Sequence, residues 1–277
     1  LHRLLAALHG ELDARDDRPT PAGVDPAAYS EMVERRLEEC LAQLDEHPLA
    51  QAFAEIDRRL LARWLNDYVE QHRRYDGGYK QADEPVRPRL FETSFGLPRK
   101  GADPVSTATP LRIELEDQRI LITGRIDRID VGVVAGRAVF SVIDYKTGSA
   151  RGKNSGDVVS GRALQLTLYA LAAEELLFSS PTSPWQCGYW FIAEGGFKKT
   201  VSLYKFESGV AVPVEPWDDL KQRLRRHVAA LARGVRRGEF PMFNRDDKCT
   251  SVCDFRTVCR VGQTRSLEKV WQPPAAT

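Results

Sequence analysis

The sequence predicts an α/β protein in which a central mixed sheet is flanked by helices, and three observations support this fold class. Apolar side chains recur at helical spacing within residues 1–80, most clearly at 49–72. From residue 89 the pattern changes to short stretches rich in Ile, Val, Phe and Thr that alternate with polar residues, which indicates strands. Helical patterns then return at 162–178 and 217–237. The length of 277 residues favours one large domain or two small ones.

The predicted elements follow one another without an internal repeat. In the helical region, an acidic and proline-rich loop covers 13–26, the apolar stripe of 49–72 is expected to pack on a core, and Gly77-Gly78 closes the region. Predicted strands cover 90–95, 111–116, 119–134 and 137–146, with Ala135-Gly136 as a hairpin turn between the last two. After a Gly/Ser-rich loop at 147–161 come the helix at 162–178, a strand pair at 185–193 and 200–206, and the long helix at 217–237. We expect three parts that form one structural domain: helices at 1–84, a core at 85–240, and a cysteine-bearing segment at 241–277.

Composition excludes some classes of protein. Lys and Arg number 40 against 39 Asp and Glu, so the formal charge of +1 rules out a histone-like or ribosomal type of basic protein. It does not rule out a nucleic-acid enzyme whose positive charge lies on one face. No apolar run approaches the roughly 18 residues of a membrane span, and there is no signal-peptide pattern. Because Leu1 to Leu5 already reads as helix interior, we expect the sequence to be part of a longer chain.

The most informative pattern is a hairpin that carries GRIDRID at 124–130 and DYKTG at 144–148. Side chains alternate along a strand, so Asp144 and Lys146 share a face and Tyr145 points to the other. Asp127 and Asp130 are three residues apart, and only one of them can join that face. Two carboxylates and a lysine suit a divalent cation such as Mg²⁺ or Mn²⁺ beside a phosphate. The alternative is a solvated hairpin face with a weak surface ion pair.

Gly124 within this predicted strand is a second indication of a site, because a glycine permits the close approach of another group to the backbone.

These residues resemble the RecB-type nucleases of the PD-(D/E)XK superfamily. Three further features occur in the family's order: His2 at the start of a helix, Gln165-x-x-x-Tyr169 on a later helix, and a terminal cysteine set that resembles the Fe–S staple of AddB-type and CRISPR-associated exonucleases. The resemblance extends from His2 to Cys259 and implies a restriction-endonuclease-like core.

The resemblance also implies roles for individual residues. Asp127 and Asp144 would be metal ligands, with the Tyr145 carbonyl as a third ligand and His2 as an additional one. Lys146 would be the catalytic lysine.

Three neighbouring residues are assigned more loosely. Asp130 is expected to be structural and to pair with Arg128. Glu92 resembles a Glu often found on the family's preceding strand and is a further candidate. His9 competes with His2 but is expected at a core or surface position.

Other side chains are candidates for contact with DNA. Gln165 and Tyr169 lie one helical turn apart and would hold a phosphate or the attacking water, unless they are simply the polar edge of a packed helix. Four basic residues flank the site and are expected to contact the DNA backbone: Arg125, Arg128, Arg151 and Lys153. The arginine-rich helix at 217–237 either lines a DNA groove or is a solvated face.

Cys249, Cys253 and Cys259 provide three thiolates where an Fe–S cluster or a structural Zn²⁺ needs four ligands. The resemblance favours a [4Fe–4S] cluster that ties the C-terminus to the N-terminal helices, with Zn²⁺ as the alternative. Three unligated thiols are the other interpretation. The fourth ligand would either lie upstream of Leu1 or be Cys40 or Cys187; otherwise the site is vestigial. Of these residues, Cys187 is more simply interpreted as a buried small apolar residue. The uneven set of five cysteines favours a reducing compartment such as the cytoplasm.

The sequence therefore predicts a metal-dependent DNA nuclease, with a single-stranded DNA end as substrate and exonuclease action in repair, recombination or defence. It would be the nuclease domain of a helicase–nuclease or the partner of a helicase subunit. No phosphate-binding Gly-x-x-x-x-Gly-Lys-Ser/Thr motif occurs, so any motor lies outside these residues. The alternative is a non-catalytic DNA-binding or scaffold module that retains the fold.

Overall fold

The N-terminal third of the protein is helical. The computed structural model describes residues 1–42, 48–97, 103–115, 118–148, 161, 163–208, 210–214 and 216–239. The first elements are α1 (His2–Asp13), a 3₁₀ turn (Pro21–Gly23), α2 (Pro26–Leu41) and α3 (Pro48–Gly77). The Asp25 carboxylate caps α2 by accepting hydrogen bonds from the first backbone N–H groups, and Pro26 occupies the first helical position. Within the described ranges, no helix has the length and apolarity that crossing a membrane requires.

The remaining elements alternate strands with two helices. The first strands are β1 (Glu84–Phe95), β2 (Leu111–Leu115), β3 (Gln118–Ile122), β4 (Gly124–Val134) and β5 (Arg137–Lys146). They are followed by α4 (Gln165–Ala172) with a π-helical turn (Ala173–Leu177), β6 (Ser183–Phe191), β7 (Gly196–Ser202), β8 (Tyr204–Glu207), β9 (Val210–Pro213) and α5 (Trp217–Arg236). Ala135 and Gly136 both have positive φ between β4 and β5, which confirms the predicted hairpin turn.

The main sheet has five strands in the order β1-β4-β5-β6-β7. β5 and β6 are parallel and are connected through α4, whereas the other neighbours are antiparallel. Two small sheets, β2–β3 and β8–β9, accompany it. This mixed sheet with flanking helices confirms the predicted fold class and is consistent with a restriction-endonuclease-like core.

The two faces of the sheet bury two separate apolar clusters. Along β5, Val142 faces the cluster that includes α4 and α5, and Ile143 faces the cluster that includes α1 to α3. Because side chains alternate on a strand, Asp144 shares the first face and Tyr145 the second. Cys187 is fully buried on the first face, as expected, and burial raises the pKa of its thiol to about 12.

Several predicted boundaries were wrong. The single strand predicted at 119–134 is two strands, because β3 ends at Ile122 to pair with β2, and β4 begins at Gly124 to pair with β1. The apolar alternation runs through this break, so the sequence pattern does not reveal it. The predicted strand at 200–206 is likewise divided between β7 and β8, and the pairing of β8 with β9 was not predicted. The helix predicted from residue 162 begins at Gln165.

The apolar stripe of α3 packs on the core along only part of its length. Leu65 and Tyr68 are buried as expected, but Phe53 and Ile56 are 64% and 61% exposed and Leu60 is 40% exposed. The N-terminal part of α3 still lies beside α2, because Arg58 forms an ion pair with Glu34. Its apolar side chains at these three positions nevertheless remain exposed, and the prediction of a buried stripe was wrong there.

A buried polar network joins α3 to β4. The guanidinium of Arg128 is fully buried and donates to both carboxylate oxygens of Asp130 at 2.5 and 2.6 Å. It also contacts the Tyr68 hydroxyl at 2.8 Å and His72 Nε2 at 2.9 Å. The predicted pairing of Asp130 with Arg128 is confirmed. The predicted contact of Arg128 with DNA was wrong. Arg128 is two residues from Asp130, so both side chains lie on the sheet face that α3 covers, and Arg128 is fully buried there.

His9 belongs to the same network and is a core residue, as expected. Its Nε2 lies 2.8 Å from the Tyr68 hydroxyl, and its ring stacks on Phe91 with centroids 5.3 Å apart. Burial, with the nearby charge of Arg128 as a second cause, lowers the pKa of His9 and of His72 well below the ordinary value. Both imidazoles are therefore neutral at physiological pH.

Acidification is expected to destabilise the protein through these two histidines. Unfolding returns each pKa from its lowered value to about 6.5, so below about pH 6.5 the unfolded chain binds protons that the folded chain does not. The stabilisation is fully present above about pH 6.5. As the pH falls further, each histidine lowers the free energy of unfolding by up to about 1.4 kcal/mol per pH unit.

Urea unfolding of the wild type and of His9→Asn at pH 7.5, 6.5 and 5.5 measures this effect. Between pH 6.5 and 5.5 the variant should lose less stability than the wild type, by about 1 kcal/mol. Other groups titrate in both proteins and cancel in the comparison. Equal slopes would contradict the burial of a neutral His9.

Candidate active site

Three carboxylates form a row across adjacent strands of the main sheet. The register of β1 with β4 places Glu92 opposite Asp127. The register of β4 with β5, continued by one pair, places Asp127 opposite Asp144. These residues are 7%, 7% and 3% exposed, respectively. Three carboxylates are rarely buried side by side, so the row is typical of a site that binds a cation.

Gly124 permits the close packing at the open end of the site. A Cβ at this position would lie 2.7 Å from the ring of Phe95 and 3.2 Å from the ring of Tyr169. The sequence-based interpretation of Gly124 as a point of close approach is confirmed, and any side chain here would displace the ring of Phe95 and crowd that of Tyr169.

One half of the site is suited to a divalent cation. His2, the first residue of α1, places its Nδ1 3.2 Å from Asp127 Oδ1 and 3.9 Å from Glu92 Oε1. One ligand atom from each of the three residues lies within 4.8 Å of the others. Glu92 Oε1 is buried and accepts no hydrogen bond from any described residue. An imidazole nitrogen and carboxylate oxygens with an unsatisfied acceptor fit Mg²⁺ or Mn²⁺.

Electrostatics and backbone geometry support the same interpretation. Burial raises the pKa of Glu92, the charge of Asp127 adds to this effect, and Arg125 opposes it. The hydrogen bond with Asp127 raises the pKa of His2. Glu92 also has a φ of +52°, which costs a non-glycine residue free energy and is found preferentially at functional sites. Glu92, a weakly assigned candidate in the sequence, therefore belongs to this group.

The other half of the site surrounds Asp144. Lys146 Nζ forms an ion pair with Asp144 Oδ2, which confirms that the two side chains share a face. Gln165 Nε2 donates a hydrogen bond to Asp144 Oδ1 at 2.7 Å and lies 3.3 Å from the Tyr169 hydroxyl. Burial raises the pKa of Tyr169. The amide and the hydroxyl thus face Asp144 rather than forming only the edge of a packed helix.

Both halves open into one cavity of about 370 Å³. Its lining includes most of the predicted site residues: His2, Arg125, Asp127, Asp144, Lys146, Gln165 and Tyr169. Tyr145 is held on the opposite face, where its hydroxyl contacts that of Tyr68 at 2.8 Å, while its backbone N–H donates to Asp127 Oδ2 at 2.9 Å. The role of its carbonyl as a ligand stays a prediction.

Arg125 is the candidate DNA contact that lies at this cavity. It is part-exposed and forms an ion pair with Glu92 at 3.0 Å. The sequence did not indicate Tyr189, whose ring lies 5.4 Å from Lys146 Nζ, because this neighbour is set only by the register of β5 with β6. The other basic candidates, Arg151 and Lys153, and the three clustered cysteines, Cys249, Cys253 and Cys259, lie outside the described residues.

The basic helix predicted at 217–237 is α5, and part of its charge is paired. Lys221 contacts both Glu174 and Asp218, and Arg225 contacts Glu175. Two of these acids belong to the π-helical turn after α4, so the pairing is not visible in the sequence of the helix itself. The role of α5 in lining a DNA groove stays a prediction.

A mixed sheet that brings a row of acids and a lysine to one cavity is the architecture of a nuclease fold. The chain belongs to the PD-(D/E)XK nuclease superfamily, which it matches over residues 1–260.

The chain is also similar to part of several longer proteins that share one name. The chain is 32% identical over 148 residues to the B subunit of the ATP-dependent helicase/deoxyribonuclease of Exiguobacterium sibiricum, and the match covers 52% of this chain and 12% of that protein. It is 42% identical over 88 residues to the protein of the same name from Moorella thermoacetica, covering 31% of this chain and 7% of that protein. The chain therefore spans about an eighth or less of the length of these relatives.

Proposed function

We propose that the protein is a metal-dependent deoxyribonuclease that hydrolyses phosphodiester bonds. The observation that carries this proposal is that Asp127, Asp144 and Lys146 meet in one cavity, with His2 and Glu92 beside Asp127. The superfamily supports nuclease chemistry, and the names of the relatives support DNA as the substrate.

Each residue of the cavity has a chemical task in this proposal. His2, Glu92 and Asp127 would hold a divalent cation, and Asp144 would complete its ligands from the neighbouring strand. A cation bound there polarises a phosphoryl oxygen and lowers the pKa of a water molecule. Among the described ion pairs, Asp144 is the only acid that touches Lys146, so the ammonium lies beside the ligands and is placed to stabilise charge that develops on the phosphate.

Gln165 and Tyr169 would orient the substrate. Their amide and hydroxyl groups face Asp144 from the first turn of α4, and Arg125 lies across the cavity from them. Such donors suit the non-bridging oxygens of a phosphate and carry no base specificity. This arrangement supports hydrolysis that does not depend on the base sequence of the DNA.

Finer features of the function are also proposals. We infer that the enzyme acts as an exonuclease on a single-stranded end, in DNA repair, recombination or defence, with a helicase subunit or domain as its partner. The names of the relatives, which combine a helicase with a deoxyribonuclease, support this partner. A [4Fe–4S] cluster on Cys249, Cys253 and Cys259 is part of the proposal. Iron and zinc analysis of anaerobically purified protein decides between the cluster and Zn²⁺.

A DNA degradation assay tests the catalytic function. Labelled single-stranded and duplex DNA should be degraded by the wild type in Mn²⁺ or Mg²⁺ but not in EDTA, and activity should return when the metal is restored. Asp144→Ala should give no products under the same conditions, because it removes both a ligand and the partner of Lys146.

The assay also distinguishes catalysis from the alternative function of a non-catalytic scaffold. A scaffold that only binds DNA would give equal, background-level products from the wild type and Asp144→Ala while retaining affinity for the oligonucleotide. That outcome would contradict the catalytic proposal.

A further inference from the structure

A second and larger cavity lies on the other face of the main sheet, away from the carboxylate row. Its volume is about 550 Å³, which is within the range of small-molecule sites. It lies between the end of α3, strands β6 and β7, and strand β8. Aromatic side chains dominate its walls: Tyr75, Tyr79, Trp185, Phe197, Tyr204 and Phe206.

The rings of this cavity form two groups. Trp185 stacks on Tyr204 with centroids 5.7 Å apart and an angle of 11°, and Phe206 lies 5.1 Å from Trp185. Across the cavity, Phe197 packs against Tyr75 at 4.9 Å. Flat π-faces such as these are suited to hold another planar ring.

A glycine of β6 makes room for one of these rings. A Cβ at Gly188 would lie 2.5 Å from the ring of Phe197, so any other residue there would displace that wall of the cavity. The position of Phe197 therefore depends on Gly188.

The charged residues at the edge of the cavity are all cations. Arg74, Lys199 and Lys205 contribute to its lining, and no carboxylate does. Lys205 is paired with Glu207. In the part of the chain that the structure describes, neither Arg74 nor Lys199 forms an ion pair, and Arg74 makes only a long hydrogen bond of 3.5 Å to the Glu70 carbonyl. Both side chains are exposed, so the cavity opens to solvent on its basic side.

We propose that this cavity binds a nucleotide unit of single-stranded DNA, with its base among the aromatic rings and its phosphate at Arg74 and Lys199. Aromatic stacking combined with unpaired cations is the chemistry by which proteins hold single strands without reading their sequence. A purely apolar or basic partner would leave both cations without a counter-charge.

This site goes beyond the proposed hydrolysis, because it uses none of the carboxylates and lies on the opposite face of the sheet. The two are also separable by experiment. Binding is measured in EDTA, where hydrolysis does not occur. Binding to the cavity can therefore fail while the nuclease proposal stands, and the nuclease proposal can fail while binding to the cavity is observed.

The test is the affinity of a fluorescein-labelled ten-nucleotide oligothymidine, measured by anisotropy over a series of salt concentrations. The double variant Arg74→Ala with Lys199→Ala should bind at least tenfold more weakly. The slope of log K against log salt should become shallower by about 0.7, because one phosphate contact is lost from a single strand. Arg73→Ala is the matched control, since Arg73 is the adjacent exposed residue of α3, is paired with Glu70 and does not line the cavity.

Cross-linking locates the base. An oligonucleotide that carries 4-thiothymidine should cross-link to Trp185, Tyr204 or Phe206, as identified by mass spectrometry, and the double variant should lose these cross-links. Equal affinity and slope in the double variant and in Arg73→Ala would overturn the proposal. Thymidine monophosphate that competes as strongly as the ten-nucleotide strand would show a free nucleotide as the occupant and would overturn the assignment to a strand.

Discussion

Replacing Lys146 with Ala is expected to lower the rate of DNA hydrolysis about 10²–10³-fold, the order found when one donor to a developing oxyanion is removed. Lys146 contacts Asp144 and does not belong to the group formed by His2, Glu92 and Asp127. The loss should therefore appear in the chemical step, with the binding of Mn²⁺ almost unchanged.

Two measurements separate these effects. Single-turnover cleavage of a labelled oligonucleotide gives the rate, and calorimetric titration with Mn²⁺ gives the affinity for the metal. Lys80→Ala, which removes an exposed lysine just beyond α3, is the matched control and should retain the wild-type rate. A Lys146→Ala protein that cleaves at the wild-type rate would contradict the catalytic role. One that no longer binds Mn²⁺ would reassign Lys146 to the support of the metal site.

Replacing Arg128 with Met is expected to lower the free energy of unfolding by about 3–5 kcal/mol. The guanidinium is fully buried, and its removal leaves the Asp130 carboxylate, also 0% exposed, without its two strongest hydrogen bonds. Tyr68 and His72 lose a partner as well. The cost arises mainly from the uncompensated buried charge rather than from lost attraction.

Urea denaturation of three variants checks this explanation. Arg137→Met, an exposed position on the neighbouring strand, should change the free energy of unfolding by less than about 1 kcal/mol. Adding Asp130→Leu to Arg128→Met should recover most of the lost stability, because replacing a whole buried ion pair with apolar residues is often close to neutral. A double variant as unstable as the single one would show that packing, not charge, sets the cost.

The N-terminal helix shows how the buried network affects the site. His9 contacts Tyr68, which also contacts Arg128 and Tyr145, and His2 lies two turns earlier on the same helix. The sequence placed His2 in the site only through a family resemblance. Its distance of 3.2 Å from Asp127 depends on α1 packing against β1, which no local pattern reveals.

The sequence by itself determined the features that depend on neighbouring residues. Alternation along β5 put Asp144 and Lys146 on one face, and the spacing of Asp127 and Asp130 excluded one of them from the site. The i, i+4 spacing of Gln165 and Tyr169 similarly put them on one side of a helix. Such geometry is set by the periods of 2.0 residues in a strand and 3.6 residues in a helix, so it can be predicted without the rest of the chain.

Only the tertiary structure decided the features that depend on pairing between distant segments. Glu92 is 35 positions before Asp127 in sequence, and their alignment across β1 and β4 turned a weak candidate into a member of the acidic row. The same pairing of sheet and helices buried Arg128, which the sequence had assigned to DNA. The register between strands and the packing of helices follow from which apolar surfaces bury one another across the whole chain, and a one-residue shift reverses the face of every side chain.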